Sequence, residues 1–320
     1  MMYDQEKYVK EEMNMKRIIV MMAILVLALF ALPGCAEEEI LSCNGFDYVV
    51  LEDNSCKIVA YKGNADTLEI PEMIDGHIVS VLGGCIFYDG YDNKTLVSVT
   101  IPSGVKTIES EAFWNCHALE NVVIPEGVAS IGENAFGFCK ELKTLSIPAS
   151  VTEITGNPVS GSEKLETIVL SENQTKFQLI DGFLFDTEAC ALIMCPVDYE
   201  ERYTIPEGTK IISASAFARC KGIEAVYAPS SLMEVGEYAF AFCNSIRTVE
   251  FSEGVEKIGA SAFFFCGNIE SVKLPESVNE IGDFAFYISP ANRWFKLLAK
   301  YGSYAYNWAK ENNVNVDFYR

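Results

Sequence analysis

Residues 119–139 read LENVVIPEGVASIGENAFGFC, and the same order of residue types recurs along most of the chain. Leu119, Val122 and Ile124 take the inward positions of a short strand, while Asn121 and Val123 alternate outward. Pro125 cannot donate to a ladder, and with Glu126-Gly127 it ends the strand in a turn. Val128 and Ile131 point inward again, and Ala135-Phe136 fills the core on the return side. Pro102, Pro125 and Pro148 stand 23 residues apart, as do Pro206 and Pro229; Pro275 keeps step, with Ser171 and Ser252 in the intermediate slots. Ala-Phe follows the same interval at 112, 135, 216, 239, 262 and 285, and so does cysteine at 116 and 139, then at 220, 243 and 266. One such unit cannot bury its own apolar face, whereas stacked copies share a continuous core. The repeat therefore predicts a solenoid whose strands form one parallel sheet.

The Val-x-Ile-Pro-x-x-Val, Ile-Gly and Ala-Phe-x-x-Cys elements together resemble the BspA-like leucine-rich repeats of bacterial surface proteins, over roughly residues 45–320. The resemblance implies a leucine-rich-repeat solenoid. Its parts are a parallel β-sheet of 23-residue coils with hairpin insertions, an N-terminal β cap and a C-terminal helix and strand cap. The array is expected over residues 45–290 and the C-terminal cap over 291–320. From Ser171 to Pro206 the interval stretches to 35 residues, and apolar runs flank Asp186-Thr187-Glu188. That places a hairpin insertion at about 172–204. Between Pro71 and Pro102 the interval is 31 residues, with Tyr88 to Asn93 as the loop. Tyr48–Leu51 and Lys57–Tyr61 flank a polar turn and predict the first hairpin. Near the end, Ser303 opens a helix with Ala305, Trp308 and Ala309 on one face, Asn312-Asn313 stops it, and Val314, Val316 and Phe318 alternate as a strand.

The N-terminus carries an address. Ile18 to Leu32 is a run of 15 apolar residues behind Lys16-Arg17, too short for a membrane span of about 20 and right for a signal-peptide core. Leu32-Pro33-Gly34-Cys35 resembles the lipobox of bacterial lipoproteins, which implies a signal peptide over 1–35, lipid attachment at Cys35 and a polar tether over 36–44. The compact start MKRIIV at Met15 points to initiation there.

The 320 residues carry 24 basic and 45 acidic side chains, a net charge of −21, which repels phosphate backbones and argues against nucleic acid as a partner. With two histidines, His77 and His117, and no G-x-S-x-G, H-E-x-x-H or phosphate-loop motif, nothing assembles a catalytic constellation. The expectation is a non-enzyme with no cofactor and no metal. Cysteines every 23 residues lack the short C-x-x-C grip of structural zinc. They predict instead a ladder of buried thiols in small apolar slots, where a Ser at Cys139 or Cys243 costs on the order of 1–3 kcal/mol and an Ala no more. Cys43, Cys56, Cys190 and Cys195 lie off the period and are expected as free thiols.

What remains is the outward face of the strands. In the first run it is small and polar: Ser98, Thr100, Asn121, Val123, Thr144, Ser146, Thr167 and Val169. In the second it gains size and charge, so Arg202, Thr204, Tyr227, Thr248, Glu250, Ser271 and Lys273 are the candidate ligand-binding residues, with the adjoining hairpin. Arg202, Tyr227, Glu250 and Lys273 are expected to line up on successive coils. The function implied by the resemblance is that of a lipid-anchored cell-surface module. It would serve adhesion or protein–protein interaction with a host or bacterial surface macromolecule. The alternative is a structural, cell-association scaffold without a single tight ligand.

Overall fold

Every regular coil contains two strands, and the second is too short to announce itself in the sequence. In a computed structural model that describes residues 39–87, 93–196, 199, 201–289 and 292–319, the strand Asn121–Val123 is followed by the two-residue strand Ser130–Ile131. Each joins its own parallel ladder. Asn121 lies in register with Ser98, and Ser130 lies between Thr107 and Glu153, so the 23-residue interval of the sequence is the hydrogen-bond register of the fold. The single parallel sheet expected from the repeat is thus two ladders in the second run; in the first, the long-strand ladder is further broken between Asn121–Val123 and Thr144–Ile147. Isoleucine or valine ends each short strand, fully buried at Ile108, Ile131, Ile212, Val235 and Ile258.

The return side closes the core with rings. Phe113 and Phe136 stack with centroids 5.1 Å apart, and Phe217, Phe240, Phe263 and Phe286 continue at 4.8, 5.0 and 5.2 Å. These separations match the roughly 4.8 Å between neighbouring strands, so the ladder spacing itself sets the ring stacking. Each fully buried Phe contributes about 1.5–3 kcal/mol by leaving water. The Gly of Ile-Gly permits close approach of adjacent coils: a Cβ on Gly259 would lie 2.6 Å from the carbonyl carbon of Gly236.

Between the two runs the insertion forms an internal wall. Phe177–Ile180, Phe183–Asp186 and Ala191–Met194 make an antiparallel trio, with the middle strand paired to both others. Ala191–Met194 then pairs in parallel with Ile211–Ile212, which starts the second short ladder. All eight residues of Phe183–Asp186 and Ala191–Met194 are buried. Leu184, Ile193 and Met194 enter the core of the first run, whereas Phe183, Phe185 and Leu192 enter that of the second. Apolar residues on both faces of these strands are what burial on both faces requires. The insertion is therefore not an exposed appendage beside the outward strand face. At the seam Asn157 replaces the residue before Ala-Phe; its N–H donates to Ala214 O and its Nδ2 to Ser215 O, which ties the third coil to the second run.

The caps are as the composition requires, with differences in extent. The first hairpin pairs Val50 with Cys56, and Leu41–Cys43, inside the expected tether, adds a further antiparallel strand. The last helix spans Tyr304–Glu311 with Ser303 as its N-cap, and Ala305 and Ala309 are buried. Lys296–Lys300, not foreseen, precedes it, and Val316–Tyr319 closes the ladder. Val316 packs against the core, but Phe318 faces outward and lies 6.0 Å from the Tyr301 ring. The expected signal segment 1–35 with Cys35, the first residues of the expected tether and the loop residues 88–92 lie outside the described residues.

Candidate functional site

Two faces of the second run present side chains that the core does not need. The first is the strand face. Glu201–Thr204, Ile223–Tyr227, Thr248–Glu250, Ser271–Lys273, Lys296–Lys300 and Val316–Tyr319 form one continuous parallel sheet. Its register defines two rows. One contains Arg202, Ala225, Thr248, Ser271 and Lys296, and the other Thr204, Tyr227, Glu250, Lys273 and Leu298. Arg202 thus stands in the row beside Tyr227 rather than in line with it. Arg202 and Thr204 are exposed, whereas Tyr227, Thr248, Glu250, Ser271 and Lys273 are half-buried. Ala225, outward in the pattern, is only 7% exposed because its short side chain sits below its neighbours. The charges compensate one another along the row. Lys273 Nζ lies 3.9 Å from Glu250 and 5.3 Å from the Tyr319 ring centre, and Lys296 pairs with Asp317 at 3.3 Å. Such exposed pairs stabilise little. In the first run Thr100, Asn121, Thr144, Ser146 and Thr167 are exposed, and Val123 is 65% exposed.

The second face lies on the return side, at the residues flanking Ala-Phe. Tyr238, Phe242, Phe265 and Phe284 all adopt left-handed backbone, with φ of 51°, 58°, 54° and 56°. This region is uncommon for any residue with a side chain and costs on the order of 1–3 kcal/mol each. Their rings form a cluster with Phe264 and Tyr287: Phe264 stacks on Tyr287 at 5.5 Å, and Phe242 on Phe265 at 6.1 Å. Phe284 is 66% and Tyr287 45% exposed. Where the row reaches the seam, the Arg219 guanidinium lies between the rings of Phe138 and Phe242, 4.5 and 4.2 Å from their centres. This row is absent from the strand pattern because none of its members is a strand residue. Its trace in the sequence is an aromatic before the ladder cysteine at 138, 242 and 265 and before Ala-Phe at 238 and 284.

The ladder cysteines are buried, and every described cysteine is a free thiol. Cys139, Cys243 and Cys266 each donate to the carbonyl of the phenylalanine 26 positions earlier, at 3.3, 2.8 and 3.0 Å. Ser162, which replaces cysteine in one coil, donates to Phe136 O at 2.8 Å in the same way. The slot is therefore a hydrogen-bonding position, which argues for Ser over Ala there, against the expectation drawn from an apolar slot. Burial raises the thiol of Cys266 to about 12 and pushes Cys139 and Cys243 well above their ordinary value. Among the described residues, no group of three or more His, Cys, Asp or Glu side chains is placed to hold a metal ion. His77 is no bare surface residue: its Nδ1 lies 2.9 Å from Asn54 O in the first cap.

Parallel coils in register at a fixed interval, around a ring-stacked core and with a continuous strand face, define a leucine-rich-repeat scaffold. The family described as BspA type leucine-rich repeat region matches residues 79–187 and 199–307 in six copies, and the chain belongs to it. The fold recurs in solved structures. A leucine-rich cell surface protein from Faecalibacterium prausnitzii is 21% identical, with a TM-score of 0.58 over 89% of this chain and 96% of that one. The pneumococcal vaccine antigen PcpA is 16% identical, with a TM-score of 0.54 over 89% and 100% of the two chains. A leucine-rich repeat protein from Eubacterium ventriosum is 17% identical, with a TM-score of 0.59 over 83% and 79%. No curated protein matches the chain. Among the described residues no helix is long and apolar enough to cross a membrane.

Proposed function

We propose that this protein is a cell-surface adhesion module, held to the envelope by lipid on Cys35, which binds a surface protein through its second run. The observation that carries the reading is the six-stranded face from Glu201–Thr204 to Val316–Tyr319. It is a rigid, regular surface, and such sheets are the binding surfaces of solenoid repeats. Arg202, Thr204, Tyr227, Thr248, Glu250, Ser271 and Lys273 are the contact residues in this reading. Membership of a repeat family with relatives on bacterial surfaces supports it, and so does the lipobox at Leu32–Cys35. A second reading moves the contact to the return side. It is favoured by the exposed rings of Phe284 and Tyr287 beside Phe264 and Phe265, because exposed aromatic clusters on monomers mark interaction sites.

The test is adhesion. Cells displaying the chain should attach to surfaces coated with extracellular proteins, and the chain should take up a fatty-acid analogue. Cys35→Ala should abolish both the label and the attachment. Unlabelled wild type in a host that processes lipoproteins removes the anchor. Attachment equal to that of cells lacking the chain removes the adhesion.

A further inference from the structure

At the seam Cys220 departs from the bond that Cys139, Cys243 and Cys266 share. Cys220 has no phenylalanine 26 positions earlier; that place is Met194. Its Sγ lies instead 2.8 Å from the Sγ of Cys195, which follows the wall strand Ala191–Met194. Both are free thiols in this structure. A disulfide needs about 2.05 Å between sulfurs, about 0.8 Å closer than the pair stands. The pair also lines a cavity of about 200 Å³ that opens between the two runs. Arg219 and Lys221 line the same cavity, and Lys221 pairs with Glu163 at 2.8 Å.

We propose that Cys195 and Cys220 are a thiol–disulfide exchange site, oxidised by a low-molecular-weight disulfide to a cross-link that bolts the internal wall to the second run. The two sulfurs are not equivalent, which assigns their roles. The Cys195 thiol also lies 3.1 Å from Pro196 O, an acceptor that holds its proton; donation from Cys195, opposed by burial and aided by the N–H groups of Ile223, Gly222 and Lys221, lowers the pKa of Cys220, whereas burial raises that of Cys195. Cys220 as thiolate attacks one sulfur of R–S–S–R; a Cys220–S–S–R bond forms and R–S⁻ leaves with the electron pair of the broken bond. Cys195 then gives its proton to R–S⁻ and attacks the Cys220 sulfur, expelling the second R–S⁻, which takes the Cys220 proton from solvent. Two cysteine thiols are oxidised, and one disulfide is reduced to two thiols. Cys139, Cys243 and Cys266 cannot follow this course, because their thiols face backbone carbonyls and not another sulfur. The inference does not depend on which face binds the partner.

The experiment uses the full chain, reduced and then given excess oxidised glutathione under native conditions. Peptide mapping without reductant should find the 195–220 cross-link in most molecules, with Cys139 and Cys243 unmodified, and the cross-linked chain should melt at a higher temperature. Cys195→Ser should trap glutathione on Cys220, and Cys220→Ser should yield no cross-link at either position. Native chain that gains glutathione on Cys190 but no 195–220 cross-link overturns the proposal. So does a cross-link that forms only after unfolding. The map of the wild type decides the matter even if neither variant folds.

Discussion

At the scale of the residue, the ladder slot shows how little freedom the interior leaves and where it leaves it. Cys243 donates to Phe217 O at 2.8 Å, and Ser162 does the same to Phe136 O at the equivalent place. A hydroxyl can therefore replace the thiol with its bond intact, whereas a methyl group leaves a small void and one lone pair of the carbonyl unmet. Cys243→Ser is expected to cost less than about 1 kcal/mol and Cys243→Ala about 1–3 kcal/mol. Urea unfolding of the two variants checks the order. The interval of the cysteines was legible because 23-residue periodicity is visible in any residue type. The hydrogen bond was not, since its acceptor is a backbone carbonyl one coil away. The left-handed backbone at Phe242 and Phe265 was equally hidden. Glycine or asparagine would have announced it, and phenylalanine does not.

At the scale of the element, long and patterned segments declared themselves, and two-residue ones did not. The helix after Ser303 and the hairpin around Thr187 followed from caps and turns. A strand such as Lys257–Ile258 is too short to show alternation, so the second ladder was missed. The wall was recognised as a hairpin but not as buried, because continuous apolar runs on both faces have no period to read. The first cap is joined by a charged contact with a pH signature. Tyr48 OH donates to Asp75 Oδ2 at 2.8 Å. That donation, with a further one from Cys43, holds the Asp75 carboxyl below its ordinary value and raises Tyr48 to about 12. A depressed carboxyl stabilises above its unfolded pKa of about 4 and loses that stabilisation as pH falls through the lower folded value. Cap stability should accordingly fall below about pH 4 in the wild type and fall less steeply in Tyr48→Phe. Hydrogen exchange of the Phe46–Val50 and Cys56–Tyr61 amides at pH 3 and pH 6 reads this directly.

At the scale of the whole molecule, the second run carries the larger and charged outward side chains while the first is plain. Thr and Ser dominate the outward strand positions before the wall; Arg202, Tyr227, Glu250 and Lys273 follow it, and the exposed rings gather on the opposite edge of the same coils. The strand face was legible from alternation alone. The ring cluster was not, because the residues that build it lie in turns. Both faces are supported by a core that does not use their side chains, so truncating them should leave the fold intact. The direct measurement is the affinity of the full chain for a surface protein to which it attaches, compared across two double variants of unchanged melting temperature. Arg202→Ala with Tyr227→Ala is predicted to weaken binding at least about tenfold, as expected for central aromatic and arginine contacts, while Phe265→Ala with Tyr287→Ala leaves it within about twofold. Undiminished binding by the folded Arg202/Tyr227 variant contradicts the strand face as the contact surface.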